Sequence, residues 1–337
     1  MKPNNTLLSH IRILFFSLIL LIAASSSKAE LKVVTTIKPL HSLVANVMEG
    51  INEPALIIEG STSPHSFTLK PSHAKLLEEA DIIFWIGEGI ETFMERPLES
   101  IVKNAEVVEF MEIESINKLK FREVSIFEDH DDHEGHDDHD DHDDHDDHDD
   151  HDDHDDHDDH DDHDDHGHAH GEFDAHIWLD PMNAKEMVLE IAHELSHLDP
   201  ANEDKYNVNA KATNLALDEM IDDISQNINK DAKFVVFHDA YQYFEERFGI
   251  RAAGALTLNT DVLPGAKQIY EIQDVIKDRG INCIFSEPQF NPKIISTIAQ
   301  DTSIQTGVFD PLGANIESDK DLYFKLINNL AAELKDC

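Results

Sequence analysis

The sequence predicts an α/β protein of two βα sandwich domains, each built on a four-stranded, mostly parallel sheet, with a long helix joining them. Three observations lead to this prediction. Short apolar runs alternate with helix-spaced apolar residues in the first part of the chain, the alternation recurs in the last part, and a long helical pattern lies between them. A length of 337 residues and a hydrophobic content of 40% suffice for two domains with cores of their own.

The first 29 residues have the pattern of a secretory signal peptide. Lys2 and Arg12 form a basic start, an apolar segment follows at 13–24, and Ser-Lys-Ala at 27–29 is a small-x-small cleavage site. The apolar segment is too short to span a bilayer, which disfavours a membrane anchor. No cysteine follows it as a lipid attachment site. We therefore expect signal cleavage before Glu30 and a periplasmic mature chain that does not insert into the membrane.

Residues 30–198 are predicted to form the first domain. Short apolar runs separated by helix-spaced segments indicate β-α units, which give a parallel sheet covered by helices. Asp180 and Pro181 predict the N-cap and first residue of a helix whose apolar face continues to 198. The strands expected in this domain are 31–37, 55–59, 82–86 and 107–110.

Asp199 and Pro200 end that helix and start a long one. Apolar residues recur in steps of three and four to Asn229, so the helix of segment 199–229 would be about 45 Å long and could lie along both domains. Residues 230–337 repeat the alternation and are predicted to form the second domain. Its expected strands are 234–237, 251–256, 283–286 and 306–309, and its expected helices lie near 265–279, 292–301 and 319–335.

A run of Asp-Asp-His repeats at 129–171 interrupts the first domain. It holds 24 acidic residues and no Lys or Arg, so removing it from the formal charge of −44 leaves −20. Such an excess of negative charge repels nucleic acid and attracts cations. The repeat cannot form a core, which predicts a disordered, solvated loop. We expect it to capture metal ions; the alternative is a tolerated spacer that grew by repeat slippage. Its candidate weak metal ligands are His130, His133, His136, His139, His142, His145, His148, His151, His154, His157, His160, His163, His166, His168 and His170.

Four short segments elsewhere each contain a metal-competent side chain. His176 lies in FDAHIWLDP just before a helix, His65 lies in the loop segment SPHSFTLKPS, and His238 and Asp310 directly follow predicted strands. Ligands of open α/β sheets bind beyond the carboxyl ends of the strands, so these four side chains can converge in the cleft between the domains. Three imidazoles plus an oxygen ligand suit four-coordinate Zn²⁺. The sequence therefore predicts a zinc site in the cleft.

The segment 193–197, HELSH, matches the HExxH pattern of zinc metalloproteases. The helical periodicity places His193 and His197 on the polar face, and the helix ends directly after the second histidine. We therefore expect both to be dispensable for tight metal binding. His41 and His73 are expected to be structural.

The only cysteines are Cys283, in an apolar strand-like run, and Cys337, the last residue. An even count in an exported chain favours a disulfide that holds the C-terminal helix to the strand and contributes about 4 kcal/mol. A buried free thiol with a frayed chain end is the alternative.

With these residues assembled, the chain resembles the ZnuA family, the zinc-binding periplasmic components of bacterial high-affinity zinc ABC transporters. The resemblance rests on the motifs HSFTLKPS, HIWLDP with the following NA, DPAN, FHDAYQYF, EPQF and FDPLG. It implies a metal in the cleft, ligand roles for His65, His176 and His238, and a disulfide between the two cysteines. Asp310 occupies the position of a carboxylate ligand of manganese-binding relatives, whereas a histidine at 238 points to zinc. Pro64 stands where some relatives carry a glutamate that can approach the metal.

The resemblance implies a monomer that captures Zn²⁺ and delivers it to the membrane permease of an ABC transporter, with no nucleic-acid partner and no enzymatic activity. Two alternatives stay open. One is an exported zinc-dependent hydrolase, for which Glu287, just beyond a strand end, is a candidate base. The other is a periplasmic metal buffer without a transport role.

Overall fold

Eight strands of the computed structural model form two separate four-stranded sheets in which every pairing is parallel. The structure describes residues 30–122, 124, 172–258, 265–300, 304–335 and 337. The predicted signal peptide and the His/Asp repeat lie outside these residues. The strands are β1 Val33–Thr35, β2 Ala55–Leu56, β3 Ile82–Trp85, β4 Glu106–Glu109, β5 Phe234–His238, β6 Ala255–Thr257, β7 Cys283–Ser286 and β8 Gln305–Val308.

The two sheets share one topology, with strand orders β2-β1-β3-β4 and β6-β5-β7-β8. The β3 strand is buried along its whole length and so is β5, because both lie inside a sheet that helices cover. The predicted α/β class and parallel sheets are therefore confirmed. The observed β2 is shorter than its predicted run, although the amides of Ile57 and Ile58 still donate to the carbonyls of Thr35 and Thr36.

Nine α-helices occur in the described part of the chain. They are α1 Lys38–Val47, α2 Pro71–Glu79, α3 Glu95–Ser100, α4 Pro181–Leu198, α5 Glu203–Asn227, α6 Gln242–Phe248, α7 Ala266–Asp278, α8 Lys293–Gln300 and α9 Leu322–Glu333. Among these described helices, none is long and apolar enough to cross a bilayer.

The start of α4 follows the predicted capping pattern. The Asp180 carboxylate accepts a hydrogen bond from the amide of Met182, and Pro181 occupies the first turn, where its missing N–H costs nothing. Asp180 also accepts two hydrogen bonds of 2.7 Å from the Arg247 guanidinium on α6. The cap thus fixes the connector before α4 and ties it to the second half of the chain.

The long helix is shorter than its periodicity suggests. A 3₁₀ turn at Pro200–Asn202 precedes α5, whose 25 residues span about 37 Å rather than about 45 Å. It ends at Asn227 because Ile228 has extended backbone angles. The α5 helix packs against α1 and α4 and also against α9, so it contacts both halves as predicted.

The largest apolar core is continuous through both sheets and the helices α1, α4, α5 and α9. A smaller core lies on the other face of the second sheet, beneath α7 and α8. Because one core joins both halves, burial alone draws no boundary at 198 or 230, and those limits stay predictions.

The Cys283–Cys337 disulfide is present, with the two Cα atoms 5.6 Å apart. It connects β7 with the chain end just beyond α9, and the Asn282 side chain donates to the Cys337 carbonyl at 3.1 Å. The C-terminal helix is therefore held to the second sheet covalently while it packs on α1 of the first half.

Candidate metal centre

His176 is fixed by the connector that leads into α4. Its backbone amide donates to Asp174 Oδ1 at 2.9 Å, and a 3₁₀ turn at Ile177–Leu179 follows it. Trp178 in that turn donates its indole N–H to the Pro311 carbonyl at 2.8 Å, and the Tyr323 hydroxyl donates to the Trp178 carbonyl at 2.7 Å. These bonds join the two halves of the chain directly beside the histidine.

His238 and His65 reach the same place from two other elements. His238 is the last residue of β5 and is 4% exposed, so its ring lies where ligands of parallel sheets bind. His65 lies in a 3₁₀ turn at Pro64–Ser66 and is partly buried. Pro64 starts that turn with a fixed φ, which suits a short helical turn in a loop.

The three imidazoles converge in the cleft. One ligand nitrogen from each of His65, His176 and His238 lies within 4.8 Å of the others. Nε2 of His176 and Nε2 of His238 are 3.3 Å apart, close to the spacing of two ligands on one tetrahedral zinc ion, which is about 3.4 Å for bonds near 2.1 Å. The cavity that the three rings help to line has room for roughly one water-sized sphere. It fits a single small cation.

A buried carboxylate stands behind each of two ligand rings. Nδ1 of His176 is 2.6 Å from Asp174 Oδ1, and Nδ1 of His238 is 2.6 Å from Glu287 Oε1. Asp174 and Glu287 are 0% and 3% exposed. Because a carboxylate accepts the Nδ1 proton, each ring turns its Nε2 lone pair towards the cleft.

The charge around His238 favours a proton when no cation is bound. Burial lowers the pKa of His238, but the charge of Glu287, its hydrogen bond, and the charges of Asp239 and Asp174 outweigh burial, so the pKa is raised. A divalent cation that binds Nε2 must displace this proton. A proton and a divalent cation therefore compete for His238, and acid should weaken cation binding.

The two carboxylates are themselves held in place. The Gln242 side chain donates to Asp174 Oδ2 at 2.7 Å, and the Tyr243 hydroxyl donates to the Asp174 carbonyl at 2.6 Å. The amide of His238 donates to Glu287 Oε1 at 3.3 Å. Neither carboxylate was predicted as a partner of a histidine. The D-x-H spacing of 174–176 and the position of Glu287 directly after β7 are the sequence signals that could have indicated them.

Comparisons with known proteins show the family and the fold of this chain. A family model described as "Zinc-uptake complex component A periplasmic", ZnuA, matches residues 33–337. A relative from Brucella abortus (strain 2308), named high-affinity zinc uptake system protein ZnuA, is 50% identical over 307 residues, which cover 90% of this chain and 91% of the relative. A relative of the same name from Haemophilus influenzae is 36% identical and covers 92% and 93% of the two chains.

The chain belongs to the ZnuA family. A structure titled "Crystal structure of ZnuA" has the same fold, with a TM-score of 0.70 at 20% identity, and the match covers 91% of this chain and 98% of that one. The periplasmic zinc-binding protein TroA of Treponema pallidum matches with a TM-score of 0.69 at 20% identity, over 91% and 99% of the chains. At these identities the likeness concerns the fold, and it supports two parallel sheets flanking a cleft.

Asp310, the fourth predicted ligand, does not join the three imidazoles of this ZnuA-family chain. Its carboxylate accepts hydrogen bonds from the Gln289 side chain at 3.1 Å and from the amides of Leu312 and Ala314 at 3.2 and 2.6 Å. These bonds shape the loop that follows β8, whose Pro311 and Leu312 line the cleft. A ligand role for Asp310 therefore requires it to exchange these partners and stays a prediction.

The remaining predicted histidines lie apart from the cleft. Nε2 of His41 is 3.1 Å from the Pro54 carbonyl, and Nδ1 of His73 accepts from the Lys70 amide at 3.2 Å, so both bond to the backbone. The side chain of His193 on α4 is 75% exposed. The HExxH pattern thus does not face the cleft of this ZnuA-family protein.

Proposed function

We propose that this ZnuA-family chain captures Zn²⁺ in the periplasm with His65, His176 and His238 and delivers it to the membrane permease of an ABC transporter. One observation carries the proposal: three imidazoles from separate loops and strands meet around a space that fits a single small cation. Neutral imidazole nitrogens are preferred ligands of Zn²⁺, and three of them leave one coordination position for water or for Asp310.

The two buried carboxylates support a doubly charged cargo. Asp174 and Glu287 contribute two negative charges behind the ligand rings, which compensate the charge of a divalent cation in a buried place. Carboxylates hydrogen-bonded to ligand histidines also increase the basicity of the ring nitrogens that face the metal. His238, whose pKa is raised by these neighbouring charges, can take up a proton when the ion leaves, so release is coupled to proton uptake.

A hydrolase is a weaker proposal for this site. Hydrolysis at zinc needs a general base that is free to accept a proton from bound water. Glu287, the candidate base, already accepts the Nδ1 proton of His238 at 2.6 Å. The family is one of solute-binding proteins, which favours transport over catalysis.

Competition titration against a chromophoric zinc chelator tests the ligand set. We expect His176→Ala to weaken binding at the tight site by at least about 100-fold, because one of three protein ligands and the partner of Asp174 are lost together. His193→Ala on the exposed face of α4 is the matched control and should leave that constant unchanged. Wild-type affinity in His176→Ala would show that the tight site lies elsewhere.

Transport is tested separately, by zinc-limited growth and uptake of radioactive zinc in a strain that lacks its own zinc-binding component. Restored uptake that depends on the permease supports delivery. Tight zinc binding without any uptake would instead favour a buffer. The His/Asp repeat at 129–171 is proposed to add weak exchangeable sites that capture divalent cations.

A further inference from the structure

A second group of metal-competent side chains lies on the outside of the first sheet. Ligand atoms of Glu106, Glu194 and His197 all lie within 4.8 Å of one another, the same limit that the three cleft histidines meet. Glu106 is the first residue of β4, and Glu194 and His197 lie one helical turn apart on α4. The group therefore brings together side chains of two elements that are distant in the sequence.

This group is remote from the cleft. The α4 helix starts at Pro181, just after the cleft histidine His176, and His197 lies 16 residues further along, about 24 Å away at 1.5 Å per residue. Glu106 starts its strand, whereas cleft ligands lie beyond the carboxyl ends of strands. A cation held here would not touch the first site.

The two carboxyl groups lie close together, and no Lys or Arg of the described residues pairs with them. The Glu194 side chain is 16% exposed, and one of its carboxyl oxygens lies within 4.8 Å of a carboxyl oxygen of Glu106. Among the ion pairs of the described residues, none joins a Lys or Arg to either glutamate. Burial and the charges of Glu106 and Glu190 raise the pKa of Glu194, against a smaller opposite effect of His193. Among the described residues, the basic side chain paired with Glu194 is His193, whose Nε2 lies 3.8 Å from Glu194 Oε1.

We propose that Glu106, Glu194 and His197 form a second, solvent-open site for a divalent cation of the Zn²⁺ class. Two carboxylate oxygens and one imidazole nitrogen form a mixed set that borderline cations such as Zn²⁺ accept, and water completes the coordination. The site is weaker than the cleft because two of its three ligands are exposed and must be ordered on binding.

The arrangement differs from that of an HExxH metalloprotease. In those enzymes both histidines of the motif bind the metal and the glutamate acts as base. Here the exposed His193 is not one of the three grouped residues, although its Nε2 lies 3.8 Å from Glu194 Oε1, and Glu194 is itself a ligand. The motif therefore contributes to cation binding without forming a catalytic centre.

Histidine modification by diethyl pyrocarbonate, read by peptide mass spectrometry on the full chain with zinc chloride as the only added metal, resolves the site. We expect zinc to slow modification of His197 by about 5-fold or more, while His193, one turn away on the same helix, is modified at an unchanged rate. The cleft histidines His65 and His238 are read in the same digests. Their protection reports on the proposed transport site independently.

Glu106→Gln is the decisive variant, because its exposed side chain can change without disturbing the core. Zinc should no longer protect His197 in this variant or in Glu194→Gln, while protection of the cleft histidines persists. Unchanged modification of His197 in the wild type would overturn the proposal. Equal protection of His193 and His197, or protection that survives Glu106→Gln, would show adventitious binding to single side chains and would also overturn it.

Discussion

Replacing Glu287 by Gln separates the charge behind His238 from the geometry of the hydrogen bond. Nδ1 of His238 is 2.6 Å from Glu287 Oε1, and glutamine retains an oxygen that can accept the same hydrogen bond, so the ring can keep its orientation. What is lost is one buried negative charge beside the cation. A hydrogen bond to a charged group contributes about 1.5–3 kcal/mol, which corresponds to roughly a 10- to 100-fold loss of zinc affinity. Substitution of a residue that hydrogen-bonds to a metal ligand typically lowers metal affinity by a similar factor.

The pH dependence of the Glu287→Gln protein gives a second, independent test. In the wild type the pKa of His238 is raised, because Glu287 and neighbouring carboxylates outweigh the effect of burial, so a proton competes with zinc as the pH falls. Without the carboxylate, burial has more weight, the pKa falls, and the proton competes less. The affinity of the variant should therefore decline less than that of the wild type between pH 7.5 and about 5.5.

The assay is competition with a chromophoric chelator at several pH values, with the exposed Glu317→Gln as the charge-matched control. We expect the ratio of wild-type to variant affinity to be large at pH 7.5 and to shrink in acid. An unchanged affinity at pH 7.5 would refute the role of the buried charge. A ratio that grows in acid would refute the reasoning about proton competition.

Four further predictions concern other parts of the chain. Asp310→Asn should change zinc affinity less than about 5-fold in titrations, because this carboxylate accepts hydrogen bonds from Gln289 and two backbone amides. A loss of affinity comparable to that caused by removing a ligand histidine would identify Asp310 as the fourth ligand. Burial raises the pKa of Glu91 to about 7, so the folded state keeps a proton that the unfolded state releases. The free energy of unfolding in urea should therefore fall by about 3 kcal/mol as the pH rises from about 4.5 to 7, and Glu91→Gln should reduce this dependence on pH. Cys337→Ser opens a loop with a sequence separation of 54 residues and should lower the free energy of unfolding by about 4 kcal/mol in chemical denaturation, whereas an unchanged value would show that the chain end contributes nothing. Deletion of 129–171 should leave the tight zinc constant unchanged and reduce the total zinc bound in equilibrium dialysis, and equal growth under zinc chelation would leave the repeat without a role in capture.

Much of the architecture follows from local patterns. Short apolar runs locate strands and period-3.6 hydrophobicity locates helices within one half of the chain without knowledge of the other. Capping chemistry at Asp180 and Pro181 predicts the start of a helix to the residue. The ends of elements are less predictable. Periodicity continues past Asn227, yet α5 ends there because the extended backbone of Ile228 interrupts its hydrogen bonds.

Residue chemistry and chain order selected the three cleft histidines, because parallel strands present their carboxyl ends at one edge. Only the tertiary structure brings Glu287 to His238, since 49 residues separate them and no local pattern encodes the contact. Likewise, only the tertiary structure brings Glu106 of an edge strand to Glu194 and His197 of α4. The HExxH motif of the helix does not by itself indicate this group. Asp310 shows the reverse: its side chain is of suitable type and position, but it accepts hydrogen bonds from its own loop and from Gln289. Sequence fixes which side chains can bind a metal and the elements that hold them. The distances between those elements, and thus which side chains share a cation, a proton or a hydrogen bond, depend on packing between distant parts of the chain.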